Sequence, residues 1–218
     1  MRIFLIRHGE SEGNAENRFI GAQGVYKLTE KGKLQAKKSA QIIRKLGVDT
    51  RVKMFSSTTV RAKETAEIIS NELGYEFEMD SRLREIELGE LEGKTLLEVD
   101  KKYANVIRDF SEKPSECEIP GGESVPQVQQ RVLSFIYDRL DENNDLVIVS
   151  HDIAIRTFLV HAMSMSIDFI WSLSPSELMS GFQSPFEYGD KDIPLSSVSV
   201  VKYRDGEFIV KSIGMMVA

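Results

Sequence analysis

Residues 3–9 read IFLIRHG, an apolar run that stops abruptly at charged and polar residues. Four consecutive apolar residues suit a short strand that is buried on both faces, as strands of a parallel sheet are. Two further short runs occur, at Val52 to Phe55, which is interrupted by Lys53, and at Leu146 to Val149. The sequence therefore predicts three core strands of one sheet.

Segments with helical periodicity separate these apolar runs. The first begins after Thr29, a favourable N-terminal cap, and ends near Gly47, while the second ends before Gly74. Apolar residues repeat at helical spacing again over 125–136 and after His151. Because strands alternate with helices, we expect a three-layer α/β/α sandwich on a mostly parallel sheet.

The end of the chain carries a different signal. Asp205-Gly206 separates two strand-like segments, 197–203 and 207–213, which is typical of a β-hairpin. The last strand or two should therefore run antiparallel and add an antiparallel edge strand to the sheet. With 218 residues, no repeat and no recognisable linker, the chain is expected to form a single domain over 1–218.

Composition excludes several classes of protein. Lys and Arg number 28 against 34 Asp and Glu, and a net charge of −6 argues against a nucleic-acid binder or a ligand of anionic membranes. The single cysteine, Cys117, cannot form an internal disulfide, and the apolar start is too short for a signal peptide. We therefore expect a cytoplasmic protein in which Cys117 is an inert thiol.

Polar and charged residues follow each predicted core strand. Arg7 and His8 follow the first, Arg61 lies shortly after the second, and His151 follows the third. Ligands of open α/β sheets bind at the carboxyl ends of the strands. These four side chains are therefore expected to meet at one edge of the sheet, although up to 144 positions separate them in the sequence.

The chemistry of that set favours an anion. Two guanidinium groups and two imidazoles match a tetrahedral phosphate group, which arginine binds through paired N–H donors. The same set would repel a metal cation. We expect a phosphorylated small molecule as the ligand and neither a metal ion nor an organic cofactor.

Other conspicuous residues have simpler interpretations. His161 lies inside a predicted helix and is interpreted as structural. Six basic residues on one helix are expected to form its solvated face, and six Met and aromatic residues are expected in the core. These two sets are Lys31, Lys33, Lys37, Lys38, Arg44 and Lys45, and Met163, Met165, Phe169, Trp171, Phe182 and Phe186.

Five ordered motifs together carry a family resemblance. They are Arg7-His8-Gly9-Glu10-Ser11 with Asn14, Ser56-Ser57 with Arg61-Ala62 and Thr65-Ala66, Leu83-Arg84-Glu85 with Gly89 and Glu92-Gly93, Pro120-Gly121-Gly122-Glu123-Ser124, and Val149-Ser150-His151. Over positions 7 to 151 the chain resembles the histidine phosphatase superfamily, also called phosphoglycerate mutase-like. One departure is visible: Asp152 stands where the family commonly has glycine, which adds a carboxylate near the anion site.

The resemblance implies a mechanism. His8 would attack phosphorus and form a phosphohistidine, while Arg7, Arg61, His151 and Asn14 would bind the phosphoryl oxygens. Glu85 matches the position of the family's general acid.

That role requires a raised pKa, for which burial or the neighbouring carboxylates of Glu87 and Glu10 would account. Asp152 is the alternative acid.

The main functional alternatives are a phosphatase and a cofactor-dependent phosphoglycerate mutase. The mutase branch has longer chains with an insertion over the site, whereas only 66 positions separate Glu85 from His151 here, and residues 94–110 look like a helix. These features favour a phosphatase. A phosphate-binding sensor without turnover is a third hypothesis.

The substrate is less well defined by the sequence. The default substrate is a sugar phosphate or phosphoglycerate, with selectivity set by residues 101–120 and 163–194. An exposed sheet edge or the aromatic segment near Trp171 could pair two copies into a homodimer.

Overall fold

One sheet of seven strands runs through the part of the chain that the structure describes. The structure is a computed structural model that describes residues 1–48, 52–95, 97–99, 102–140, 144–173, 187–188 and 193–216, with only the backbone at 187–188. The strands are β1 (Arg2–Arg7), β2 (Val52–Ser56), β3 (Phe77–Met79), β4 (Asp145–Ser150), β5 (Glu187–Tyr188), β6 (Val198–Arg204) and β7 (Glu207–Met216).

The described helices cover both faces of this sheet. They are α1 (Glu12–Ala15), α2 (Glu30–Lys45), α3 (Val60–Leu73), α4 (Ala104–Glu112), α5 (Val125–Tyr137) and α6 (Asp152–Ala162). Short 3-10 turns lie at Ser81–Leu83, Gly89–Leu91 and Ile167–Ser172.

The strand order is β3-β2-β4-β1-β6-β7-β5. The first four of these strands are mutually parallel, and β1, β2 and β4 are the three core strands that the sequence predicts. β6 runs antiparallel to β1 and forms the expected hairpin with β7. The mostly parallel sheet with an antiparallel edge is confirmed, and its antiparallel part comprises three strands rather than one or two.

Alternating residues of the core strands face two separate apolar layers. Phe4 of β1 packs on the side of α2 and α3, with Ile43 and Ala66 among its cluster. Leu5, the next residue, lies in the cluster that contains Phe135 of α5 and Phe158 of α6. Helices on both faces explain why the strands are continuously apolar, and they confirm the three-layer sandwich.

The helix ends follow the predicted signals. The side-chain oxygen of Thr29 accepts the N–H of Gly32 and begins α2. Gly74 ends α3 with a left-handed φ of 75°, a conformation that glycine adopts without steric cost. Ser124 and Gln127 form a reciprocal capping box at the start of α5.

The expected helix over residues 94–110 is wrong at its beginning. Thr95 forms an isolated β-bridge with Arg18, and the carbonyl of Lys94 accepts the N–H of Phe19 over 2.7 Å. These contacts tie the segment to the loop after α1, so the helix begins only at Ala104.

The expected burial of the Met and aromatic set is correct only in part. Met163, Met165 and Trp171 pack against the core, whereas Phe169 is 51% exposed. In the 3-10 turn that contains Phe169 the buried residue is Ile170, so its neighbour points outward. Phe182 and Phe186 lie outside the described residues.

The remaining simple interpretations agree with the structure. All six basic residues of α2 and its end are exposed, and Cys117 is a buried free thiol. His161 contacts the hydroxyl of Tyr137 through Nε2 over 3.0 Å, far from the other two histidines in the fold. Among the described helices, none has the length and apolar content needed to cross a membrane.

Candidate active site

His8 lies directly after β1 and is 4% exposed. Its Nδ1 is 2.7 Å from the carbonyl oxygen of Gly9, which can only accept, so Nδ1 carries the proton. The other ring nitrogen, Nε2, accepts the Nε–H of Arg61 over 3.0 Å. The hydrogen bonds thus fix a neutral imidazole whose lone pair is on Nε2.

The backbone around His8 is held closely on both sides. The N–H of His8 donates to Ser150 of β4, and its carbonyl accepts the N–H of Ser196. The next residue must be small, because a Cβ on Gly9 would lie 2.4 Å from the carbonyl oxygen of Gly32. The first turn of α2 can therefore pack against this loop and limit its movement.

Arg61 connects the two histidines from the first turn of α3. The guanidinium Nη2 donates to Nδ1 of His151 over 3.1 Å and to the carbonyl of Gly21 over 3.0 Å. Its Nη1 is buried and has no hydrogen-bond partner among the described residues. Burial lowers the pKa of Arg61 to about 10, although Glu85 and Glu92 oppose the shift. The group still carries its charge at neutral pH.

His151 is fully buried between Arg61 and two hydroxyl groups. Because Arg61 can only donate to Nδ1, the proton of the neutral ring is on Nε2, which lies 2.8 Å from Oγ of Ser57 and 3.2 Å from Oγ1 of Thr59. The rings of His8 and His151 are 5.0 Å apart between centroids. A phosphoryl group that binds His151 must replace one of these partners.

Both histidines are held neutral. The pKa of His8 lies well below its ordinary value, first because of burial, then because of Arg61 and then Arg7. The pKa of His151 is lowered in the same way by burial and Arg61. Burial and Arg61 thus lower the pKa of His8 more than Arg7 does, although Arg7 is its neighbour in sequence.

Arg7 and Asn14 lie beside this cluster. Nη1 of Arg7 donates to the carbonyl of Ile193 and is 3.5 Å from Asp152, while its buried Nε lacks a partner in the described part of the chain. The side-chain oxygen of Asn14 caps α1 by accepting from Ser11. This leaves the amide group of Asn14 as the donor that can reach a ligand.

Glu85 follows the 3-10 turn at 81–83 and is 6% exposed. Its carboxylate accepts the backbone N–H groups of Ile86, over 2.9 Å, and of Ile153, over 3.3 Å. Burial raises the pKa of Glu85, and Asp152 is the carboxylate that adds to this shift.

The two carboxylates expected to raise the pKa of Glu85 have other partners. Glu87 pairs with Arg84 and Glu10 with Lys31. Neither appears among the causes of its shift.

Arg131 of α5 supports Glu85 and was missed by the sequence analysis. It donates to the carbonyl oxygens of Arg82, Arg84 and Glu85 at 2.6 to 3.0 Å and pairs with Glu123. Glu123 lies in one of the five motifs, which was the only signal in the sequence for this interaction.

Glu92 supports the opposite side of the site. Both of its carboxylate oxygens are 3.0 Å from the N–H of Gly21, whose carbonyl accepts from Arg61. A Cβ at Gly21 would lie 2.5 Å from the carbonyl oxygen of Ile86, so the loop requires glycine there.

A cavity opens from this cluster to the surface. Charged and amide groups line part of it, and apolar side chains line the rest. The lining residues are Arg7, Asn14, Arg18, Phe19, Ile20, Glu85, Ile86, Leu88, Phe110, Asp152 and Ile153. No group of three or more acidic, histidine or cysteine residues suited to a metal ion occurs among the residues described.

A family model described as "Histidine phosphatase superfamily (branch 1)" matches residues 3–180. The chain belongs to this superfamily. Its members are phosphatases and mutases, which agrees with the resemblance found in the motifs. The match also covers all the side chains that meet around Arg61.

Individual members of the histidine phosphatase superfamily are similar to this chain. A Salmonella paratyphi B protein named "Probable phosphoglycerate mutase GpmB" is 34% identical over 157 residues, which cover 71% of each chain. The solved structure of YhfR from Bacillus stearothermophilus has a TM-score of 0.81 at 30% identity and covers 98% of this chain and 96% of its own.

A more distant member has the same fold. The alpha-ribazole phosphatase from Shigella flexneri has a TM-score of 0.77 at 19% identity, with 100% of this chain and 98% of that chain covered. These likenesses confirm the expected phosphoglycerate mutase-like fold.

Proposed function

We propose that this protein is a phosphatase that hydrolyses small phosphomonoesters through a phosphohistidine on Nε2 of His8. The observation that carries the proposal is the pair of buried guanidinium N–H groups, Nη1 of Arg61 and Nε of Arg7, that lack partners among the described residues. Buried donors of this kind are costly unless an acceptor uses them. Beside a neutral imidazole, a phosphoryl group is the acceptor that suits both.

The first step forms the phosphoenzyme. Nε2 of His8 uses its lone pair to form the N–P bond, and the P–O bond to the alcohol breaks on the opposite side. The N–H of Arg61 that now points to Nε2 would turn to a phosphoryl oxygen. Glu85 donates its proton to the leaving oxygen, for which its raised pKa suits it.

The second step returns the enzyme to its starting form. A water molecule attacks phosphorus, Glu85 accepts a proton from that water, and the N–P bond breaks to release inorganic phosphate. The electron pair of this bond returns to Nε2 of His8. Nδ1 keeps its proton on the carbonyl of Gly9 throughout, so His8 needs no separate base.

No metal ion is part of this mechanism. Arg7 and Arg61 supply fixed positive charge next to the phosphorus, which is the electrostatic role that a metal ion has in other phosphatases. EDTA should therefore leave the rate unchanged. Loss of activity that Mg²⁺ restores would contradict this part of the proposal.

The decisive experiment measures turnover of p-nitrophenyl phosphate by the wild type and by His8→Ala. We expect release of nitrophenol by the wild type, an acid-labile phosphoprotein after rapid quenching, and neither signal from His8→Ala. If the wild type binds phosphate but turns over no faster than the variant, the chain is a phosphate sensor.

A phosphoglycerate mutase is the second candidate, because the GpmB relative at 34% identity carries that name. Product analysis separates the two reactions. Accumulation of inorganic phosphate from 3-phosphoglycerate supports a phosphatase, whereas conversion to 2-phosphoglycerate in the presence of a bisphosphate primer supports a mutase. The cytoplasmic location and the small-molecule substrate belong to the same proposal.

A further inference from the structure

The cavity wall contains two kinds of side chain. Beyond Arg7, Asn14 and Glu85, which are proposed to contact the phosphomonoester at its reacting phosphate, most of the wall consists of apolar side chains, and we call these the outer part. They are Phe19, Ile20, Ile86, Leu88, Phe110 and Ile153. Because both sets line one cavity, a phosphomonoester held by Arg7 and Asn14 would place its alcohol part near the apolar side chains.

Arg18 also lines the cavity, and its guanidinium already has partners. Nε of Arg18 donates to Glu16, and Nη1 donates to the carbonyl of Gly93 over 2.9 Å and lies 3.6 Å from Glu98. A second anionic group on the substrate would have to compete with two carboxylates for this guanidinium.

The wall also contains two carboxyl groups. Asp152 lies between Arg7 at 3.5 Å and Arg156 at 3.1 Å, and Glu85 lines the same cavity. Apart from Arg18 and from Arg7, whose Nε is proposed to bind phosphate, the described wall contains no cation that could bind a carboxylate. Of the residues outside the description, 174–186 and 189–192 contain one basic residue, Lys191.

Trp171 supports one of the apolar side chains of the wall, that of Phe110. Phe110 packs edge-on against Trp171 at 5.4 Å between ring centroids, and the indole N–H of Trp171 donates to the carbonyl of Phe110 over 2.8 Å. The guanidinium of Arg156 lies over the same indole, 5.4 Å from the ring centroid. These contacts limit the movement of the Phe110 side chain, so that less conformational entropy is lost when a ligand binds against it.

Phe19 is fixed in a similar way. Its N–H donates to Lys94 over 2.7 Å, and its carbonyl accepts from Gly93 over 2.8 Å. Two aromatic residues are thus held on the wall of one cavity.

We propose that this outer cavity binds the alcohol part of the substrate, and that this part is uncharged and apolar, such as an aryl or alkyl group. The inference rests on the proposed phosphatase function of His8. It predicts that esters with a carboxylate in the leaving group, including phosphoglycerate, are poor substrates, and it names Phe19 and Phe110 as residues that determine specificity.

A matched pair of esters tests the inference directly. Benzyl phosphate and its para-carboxylate derivative release alcohols of similar reactivity and differ by one charged group in the outer cavity. We expect kcat/KM for benzyl phosphate to be at least tenfold higher, with most of the difference in KM. Equal values, or a preference for the carboxylate, would overturn the inference.

A series of alkyl esters provides a second measurement. From propyl to hexyl phosphate, kcat/KM should rise about threefold for each added CH₂ that the wall covers. A flat series would mean that the apolar wall does not contact the substrate, which also contradicts the inference.

Variants locate the effect. Phe110→Ala should lower the ratio of kcat/KM for hexyl phosphate to that for propyl phosphate about tenfold. Phe110→Leu, which keeps an apolar side chain for packing, should lower it less. Phe169→Ala is the matched control, because Phe169 is 51% exposed and does not line the cavity. If both Phe110 variants have the wild-type ratio, the alcohol part of the substrate binds elsewhere.

The results also distinguish a failure of this inference from a failure of the proposed phosphatase function. If no ester is hydrolysed and no phosphoenzyme forms, the proposed phosphatase fails and the inference with it. If esters are hydrolysed through His8 but charged alcohols are preferred, only the inference fails.

Discussion

Arg61 donates its Nε–H to Nε2 of His8 over 3.0 Å, so the buried cation and the nucleophilic nitrogen face each other directly. The same guanidinium donates to Nδ1 of His151. Both contacts require an unprotonated ring nitrogen, since arginine has no acceptor. Arg61 therefore adds to burial in keeping two imidazoles neutral, orients both rings, and has a further N–H for a ligand.

Replacement of Arg61 should consequently lower the rate of turnover strongly. We expect Arg61→Ala to lower kcat by about 10²- to 10³-fold, the usual cost of removing one donor to a developing negative charge. Arg61→Lys should recover little, because one ammonium group cannot donate to His8 and His151 with the geometry of a guanidinium.

Two measurements check this prediction. Steady-state kinetics with p-nitrophenyl phosphate give kcat, and inhibition by vanadate reports affinity for a five-coordinate phosphorus analogue. Lys37→Ala, on the exposed face of α2, is the control and should change neither. Equal losses in the Arg61 and Lys37 variants would mean that the anion site is misplaced.

In the first step, Glu85 should matter only when the leaving group needs a proton. Glu85→Gln keeps an acceptor for the N–H of Ile86 but cannot donate as an acid. With an alkyl phosphate we expect the rate of phosphoenzyme formation, measured after rapid quenching, to fall by about 10²- to 10⁴-fold. With p-nitrophenyl phosphate the fall in this rate should be much smaller, because nitrophenolate leaves without protonation.

Asp152 is the matched control for Glu85, since it lines the same cavity and was the alternative acid. Asp152→Asn should lower the pKa of Glu85, because it removes the neighbouring charge that helps to raise it. Its dependence on the leaving group should therefore be much weaker than that of Glu85→Gln. If the order is reversed, the acid has been assigned to the wrong carboxylate.

Some of this site could be predicted from the sequence because strand order determines it. His8 and His151 follow β1 and β4, and Arg61 begins the helix after β2. These three strands are adjacent and parallel, so their carboxyl ends lie at one edge of the sheet. Apolar runs and the charges that end them were sufficient for this inference.

Other contacts had no signal in the sequence. Glu85 lies in an irregular segment after a short strand, and its raised pKa arises from burial and Asp152 rather than from the nearby Glu87 or Glu10. Arg131 reaches the Glu85 segment from α5, 46 positions further along the chain. Such interactions depend on how loops pack, which residue spacing does not specify.

Protonation of the histidines gives a prediction about pH. An ordinary histidine becomes charged as the pH falls through about 6.5, but the pKa of His8 and that of His151 lie well below this value. Nitrogen-detected NMR at pH 6 should therefore show both rings neutral, with the proton of His8 on Nδ1 and that of His151 on Nε2.

The same shifts determine the activity profile with an alkyl phosphate. As the pH falls from 8 towards 5.5, His8 stays neutral and a growing fraction of Glu85 becomes protonated, because its pKa is raised above 4.5. The rate of phosphoenzyme formation, in which Glu85 donates its proton, should therefore hold or rise over this range. A loss of activity that follows protonation of His8 near pH 6.5 would contradict the burial-driven shift.

Glu92 should influence the pH above which kcat/KM falls, because its charge acts on Arg61. Its carboxylate holds the N–H of Gly21, and its charge opposes the burial that lowers the pKa of Arg61 to about 10. Glu92→Gln removes the charge but keeps one acceptor, so Arg61 should lose its proton at lower pH. We expect the fall in kcat/KM at high pH to begin at lower pH. Glu92→Ala should also lower kcat at neutral pH, because the N–H of Gly21 loses its acceptor and the loop whose carbonyl binds Arg61 is held less firmly.

Glu90→Gln is the control, since that exposed carboxylate pairs with Lys102 and Tyr103. A wild-type alkaline limb in Glu92→Gln would show that Glu92 supports the loop without influencing the charge on Arg61.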